Sequence, residues 1–449
     1  MSGASASAPA QIARVALVGL LCVSLAACNI FRRGERTDPT IGDRISVLAF
    51  EQSVDAEPEI AEIEVLLPPA RVNDSWTQPG GSASRDMGHL SLAPTVGRLW
   101  SARVGRGSDA TRRLNAAPVV DANRLFTIDT EGSVRAFDAN TGRPLWQAAT
   151  FDERGDTRPA FGGGVSVMDG RVFATNGIGT VVALAADTGA ELWRVRHTTP
   201  LRGAPTVSQG RVFVMAQDSQ LLTLSAETGA TLWEVNATLE PASLLATSGP
   251  AVALETAVAG FPSGELFALR VENGRTVWQD QLARTGRTTA LGALSDIAAS
   301  PVIDRGRVFA IGHGGRMAAI ELATGQRVWE RSFAGVSAPV VAGDWVFAVT
   351  VDGELVALTR GDGRVRWVSR LPRWRNEKRR SGVIHWFGPV LAGDRLVLVS
   401  SEREMLFVSP QDGSRIGEMR LADRAYLPPV VANQTLYVLT DDGTVTAYR

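Results

Sequence analysis

The sequence predicts an all-β chain in which a four-stranded antiparallel sheet is repeated eight times and closed into a ring. Three observations carry that expectation. A Thr-Gly-x-x-x-Trp pattern recurs from Thr141 to Trp146, Thr188 to Trp193, Thr228 to Trp233 and Thr324 to Trp329, with Asn-Gly and Asp-Gly versions ending at Trp278 and Trp367. Each copy closes a series of short β-branched runs separated by Asp-Gly-type turns, the strongest short-range hairpin signal because such turns need φ > 0. Successive copies fall 38 to 51 residues apart, a spacing that marks an array of supersecondary units.

Residues 337–368 show one unit plainly. Ala338 to Val341 is an apolar run, Gly343-Asp344 a turn, Trp345 to Thr350 a strand and Asp352-Gly353 a hairpin turn. Glu354 to Thr359 then alternates, and Gly361-Asp362-Gly363 turns the chain into Arg364 to Ser369. Eight inner strands begin near Ala117-Pro118, Gly163-Gly164, Ala204-Pro205, Gly249-Pro250, Ser300-Pro301, Ala338-Pro339, Gly388-Pro389 and Pro428-Pro429. Eight outer strands end near Trp100, the six tryptophans above and Ile416, which is read as filling the tryptophan slot near the C-terminus. An outer strand thus precedes the first inner one, and the chain stops after a third strand. Arg98 to Val104 is therefore expected to complete the sheet begun by Pro428 to Tyr448. Four-stranded sheets repeated radially form a β-propeller, which leaves only short, protected edges. Seven blades is the alternative if the weak 388–418 unit is irregular. The repeated tryptophans and glycines are assigned to blade packing and turns, with no chemistry.

Ahead of the repeats, Arg14 precedes a largely apolar stretch of 13 residues, Val15 to Ala27. A bilayer span needs about 20, so this reads as an export signal. It ends in Leu25-Ala26-Ala27-Cys28, which resembles the lipobox of bacterial lipoproteins and implies cleavage before Cys28 and acylation of that residue. Cys22 falls in the removed segment 1–27, so no disulfide is expected in the folded domain. Asn29 lacks the aspartate associated with inner-membrane retention, which favours the periplasmic face of the outer membrane. Residues 28–74, acidic between Glu51 and Glu64 and then carrying Pro68-Pro69, are expected to be a flexible tether to a propeller at 75–449.

The charge balance is near neutral, 46 basic against 47 acidic residues, and nothing in it suggests nucleic acid. The four histidines, His89, His197, His313 and His385, lack metal-ligand spacing, and no H-E-x-x-H, C-x-x-C or EF-hand loop is present. Glycine-rich Gly312 to Gly315 and Phe161 to Gly164 precede no helical pattern, so neither reads as a phosphate cradle. No metal and no cofactor is expected. The basic segment from Arg370 to Arg380, carrying Trp374, falls in a long connection. It reads either as a solvated loop or as a contact for anionic lipid headgroups or an acidic partner.

The stretch Ala136-Phe137-Asp138-Ala139-Asn140-Thr141-Gly142-Arg143-Pro144-Leu145-Trp146 resembles the repeat of pyrroloquinoline-quinone (PQQ) enzymes and their non-catalytic relatives. With the lipobox, Val72 to Trp76 and Gly80-Gly81, the chain from 72 onward resembles the BamB family of outer-membrane protein assembly factors. That resemblance implies a non-enzymatic scaffold that binds the periplasmic POTRA domains of BamA, works with other assembly subunits and helps unfolded β-barrel precursors reach them. Two inter-blade loops would carry the BamA contact. The first matches Ala242-Ser243-Leu244-Leu245-Ala246, the second Leu294-Ser295-Asp296-Ile297-Ala298. Leu244, Leu245 and Asp296 are the implied partner-binding residues. Leu245 stands where the family has arginine and Ala298 where it has aspartate. The alternative is a PQQ-dependent dehydrogenase, although the vicinal disulfide common in those enzymes cannot form here.

Overall fold

Each innermost strand opens with a Pro- or Gly-containing step, and outermost strands such as Pro144–Ala149, Thr231–Asn236 and Arg415–Arg420 carry half-buried residues at alternate positions among exposed ones. The computed structural model describes residues 54–151, 161–240, 244, 248–282 and 295–449. Cys28 and Leu245 lie outside these residues. Eight four-stranded antiparallel sheets are present. Blade 1 comprises Val119–Asp121, Arg124–Ile128, Ser133–Asp138 and Pro144–Ala149. Blades 2 to 7 repeat that meander and end in outer strands Glu191–Arg196, Thr231–Asn236, Thr276–Gln281, Arg327–Arg331, Val365–Arg370 and Arg415–Arg420. Blade 7 is a complete four-stranded sheet, so the count is eight, although its first two strands pair with a register shift between Phe387 and Val390. Blade 8 joins both ends of the repeat region: Arg98–Arg103 pairs antiparallel with Thr444–Tyr448 and leaves no open ring.

The repeat motif is a device for joining blades. Each outer-strand tryptophan donates its indole N–H to a backbone carbonyl of the next blade: Trp100 to Ala139, Trp146 to Ala186, Trp193 to Ala226, Trp233 to Val271, Trp278 to Leu322, Trp329 to Arg360 and Trp367 to Pro410, all at 2.7–3.1 Å. The same ring lies on the turn glycine of that blade. Gly229 has φ +74°, and a Cβ there would sit 2.7 Å from Trp193. Only glycine allows both the left-handed turn and the close approach. Large flat rings are suited to this position, since each buries roughly 150–250 Å² and still has a polar edge to satisfy.

The eighth slot differs from the sequence reading. Gly417, not Ile416, pairs with Phe407 in the register that Trp146 takes opposite Ala136. Ile416 points to solvent. Blade 8 has no turn between its third and outer strands, because the strands come from opposite chain ends, so no carbonyl awaits an indole there. The blade 7–8 junction is instead held by Arg395, which stacks on Phe407 and donates to the carbonyls of Ala93 and Pro94.

Residues 73–93 form a strap across the channel. Blade sheets leave their innermost strands with an unpaired backbone edge. The strap supplies partners to several of them. Trp76 exchanges backbone hydrogen bonds with Val120, Gln78 does so through its side-chain amide with Val207, and the carbonyls of Ala83 and Ser84 accept from Val252 and Ile303. Asn73 accepts from Asn433 N–H in blade 8, and Leu90 donates to Leu391 in blade 7. Arg85, fully buried, donates to Thr206 Oγ1 at 2.7 Å.

The expected tether ends earlier than residue 74. Residues 54–74 lie on the ring: Glu57 N–H donates to Val365 O at 2.8 Å, and its carboxylate accepts from Arg364 and Arg331. Ile60 and Val65 are 3% and 1% exposed. The acidic run is thus matched by arginines some 270 or more positions away in sequence, a pairing that local composition cannot reveal.

Candidate partner-binding site

Described residues of three consecutive inter-blade connections meet at one mouth of the channel: 197–205 leading into blade 3, 244 and 248–250 into blade 4, and 295–301 into blade 5. Ile297 is fully buried, bonds through its N–H to Phe261 O and accepts at its carbonyl from Ser248 Oγ. Ser300 Oγ accepts from Gly249 N–H at 3.1 Å. The second and third connections are therefore locked to each other.

Asp296 sits at their centre. Its Oδ2 accepts from Leu244 N–H at 3.1 Å and from Arg202 Nη2 at 2.9 Å, while its own carbonyl accepts from His313 N–H. The Arg202 and Asp296 side chains are 3% and 1% exposed. The sequence predicts Asp296 at a partner surface; its carboxylate instead faces inward, where Arg202, two connections earlier in the chain, neutralises it. Leu244 is half-buried and, with Ala298, lines a cavity of about 620 Å³ whose walls also include Trp76, Phe161, Val336 and Phe387. The fold thus unites the two implied loops through Leu244 and Asp296. It adds Arg202, which the sequence reading missed. A signal existed: three positions before the inner-strand proline stand Asn115, Arg202, Thr247, Ala298 and Val336, and only Arg202 is charged.

The strap brings charge to the same channel. Burial, and then the neighbouring Asp304 charge, push the Asp86 carboxyl up to about 6. Burial lowers Arg85 to about 10. Among the described residues no group of three or more His, Cys, Asp or Glu is placed to hold a metal ion. The assembled features are apolar contact area and rigidly held backbone, which suit binding rather than bond-making.

Comparison with known proteins places this architecture. The family described as outer membrane protein assembly factor BamB matches residues 130–369 and 372–449. The chain belongs to the BamB family. The assembly factor BamB of Shigella dysenteriae is 32% identical over 376 residues, covering 81% of this chain and 93% of the relative. That of Escherichia coli shows the same identity and coverage. The crystal structure of BamB from Moraxella catarrhalis superposes with a TM-score of 0.66 at 20% identity, covering 79% of this chain and all of the other, and supports the fold. Like its BamB relatives, this propeller carries PQQ-like repeats. Among the described residues no helix is long and apolar enough to cross a membrane.

Proposed function

We propose that this chain is a non-enzymatic scaffold of the β-barrel assembly machinery, anchored through acylated Cys28 to the periplasmic face of the outer membrane. It docks on the POTRA region of BamA through the connections carrying Leu244, Leu245 and Asp296, and it assists the insertion of β-barrel precursors. The observation that carries this reading is the bond between Leu244 N–H and the buried Asp296 carboxylate. It gives Asp296 a role that needs no contact with the partner: holding the Leu244 backbone in one presentation. Leu244 and Leu245 then supply the apolar centre expected of an interface.

Outer blade edges offer a place for precursors. Leu145, Leu192 and Leu232 occupy equivalent edge positions and are exposed, Leu192 by 49%. Glu57 already uses one such edge, donating its backbone N–H to Val365 O of the blade 6 outer strand. Extended segments adding to a sheet edge gain main-chain hydrogen bonds, with alternate side chains setting specificity.

The test is co-purification with BamA. Leu244→Glu is expected to abolish it while circular dichroism and a cooperative melt still report a folded ring, because the half-buried side chain lies at the channel mouth. Asp296→Ala is expected to weaken it and also to cost about 3–5 kcal/mol of stability, since it removes the carboxylate that neutralises the buried Arg202 guanidinium. Undiminished co-purification of the Leu244 variant would remove these connections from the reading.

A further inference from the structure

The connection from blade 6 to blade 7 is unlike the others. It contains its own two-stranded hairpin, Trp374–Asn376 paired with Ser381–Val383. The base of this hairpin is fixed by ion pairs. Arg373 bonds Asp352 at 2.8 Å and Arg375 bonds Glu402 at 2.6 Å. Arg373 also lies over the Trp374 ring, 5.4 Å from its centroid.

The tip is arranged differently. Lys378, Arg379 and Arg380 are consecutive and exposed, and among the described residues no carboxylate pairs with them. Glu377 is the one acidic residue on the tip, which leaves it positive. Val383, opposite Trp374 in the ladder, is exposed as well. A protein that only needed a soluble loop would gain nothing from ordering the base while leaving three adjacent cations without partners, since like charges repel.

The geometry points to the 374–383 hairpin as a second membrane contact, a basic finger that rests on anionic phospholipid headgroups. This rests on the lipid-anchored reading above, which holds the ring within reach of a bilayer. Charge complementarity selects the surface. Headgroup phosphates form a dense, laterally mobile sheet of negative charge that several cations can meet at once without a fixed partner geometry. Each basic residue near an anionic leaflet contributes about 1 kcal/mol, so three correspond to about 100-fold in the hairpin's contact equilibrium. Two anchor points would also fix the ring's orientation, where a single acylated terminus leaves it free to turn.

The experiment uses the lipidated protein. With Cys22 removed and Cys28 acylated, Ser381→Cys supplies a single thiol for a fluorophore. The labelled protein is reconstituted into bilayers carrying a nitroxide at the headgroup, either of phosphatidylcholine alone or with phosphatidylglycerol added. Strong quenching is expected only with phosphatidylglycerol. It should vanish in the triple variant Lys378→Gln, Arg379→Gln, Arg380→Gln and at about 0.5 M salt, where screening leaves a reach of only about 4 Å. Absence of quenching in the anionic bilayer, equal quenching in both bilayers or equal quenching of the triple variant overturns the inference. Failure to reconstitute at all would instead strike the anchored reading, so the two fail separately. If BamA, and not anionic lipid, protects the label, the finger is a protein contact and the inference falls.

Discussion

Seven blade junctions and the eighth solve one packing problem in two ways. At the seven, an indole bridges to the next blade's turn, and the sequence advertises this as Thr-Gly-x-x-x-Trp. At the junction of blades 7 and 8, Gly417 stands in the tryptophan position and Arg395 reaches the strap instead. The difference teaches that the motif belongs to a pair of blades. Tryptophan is useful only where the next blade offers a turn carbonyl and a glycine. The blade built from both ends of the repeat region offers neither, and closure there falls to residues that no repeat pattern predicts.

That contrast can be broken at its strongest point first. Trp193→Ala is expected to cost about 3–5 kcal/mol by removing a packed ring and one of the two donors, with Arg171, to Ala226 O, measured by denaturant unfolding. Gly417→Trp should bring no compensating gain, and a stabilised variant would show that the eighth junction can accept the common device. Next, Arg395→Ala should cost about 2–3 kcal/mol, since the carbonyls of Ala93, at the end of the strap, and Pro94 after it lose this donor. A loss within error would mean that the strap does not seal blade 8.

The strap itself can be strengthened. Asp86 has its folded pKa raised to about 6, mainly by burial, so ionising it opposes folding. That penalty is absent below the unfolded value near 4 and grows as pH rises towards 6. Asp86→Asn is therefore expected to add about 2 kcal/mol at pH 7 and nothing below pH 4. An equal effect at both pH values would refute the assignment.

The smallest effect concerns the docked segment 54–67. Burial raises the Glu57 pKa, but hydrogen bonds from Arg364 and Val365 N–H, with the Arg331 charge, outweigh it and leave the value lowered. Its contribution is present above the unfolded carboxylate range and is lost as pH falls through the lower folded value. Hydrogen exchange in 54–67, corrected for intrinsic rates, should thus increase on acidification below about pH 4. Glu57→Gln should remove that pH response at a cost of about 1 kcal/mol.

Much of the ring was legible because its determinants are local. Asp-Gly turns, period-2 runs and the tryptophan spacing each act within a few residues and repeat, so errors in one copy are corrected by the others. The misplacement of the eighth slot at Ile416 came from the one copy without a tryptophan to count to. The candidate site was half legible: loop position followed from the repeat, and Leu244 and Asp296 meet as neighbours. The inward turn of Asp296 was not, since it depends on Arg202 in another connection.

By itself the sequence determined the blade count, the order of strands and the closure of the ring, because hairpin chemistry and side-chain alternation are fixed at short range. Only the tertiary structure decided which charges face inward, where the N-terminal segment docks and that residues 73–93 cross the channel. Those outcomes turn on pairings between groups far apart in the chain, and a buried carboxylate or a free sheet edge takes whichever partner the closed ring brings to it.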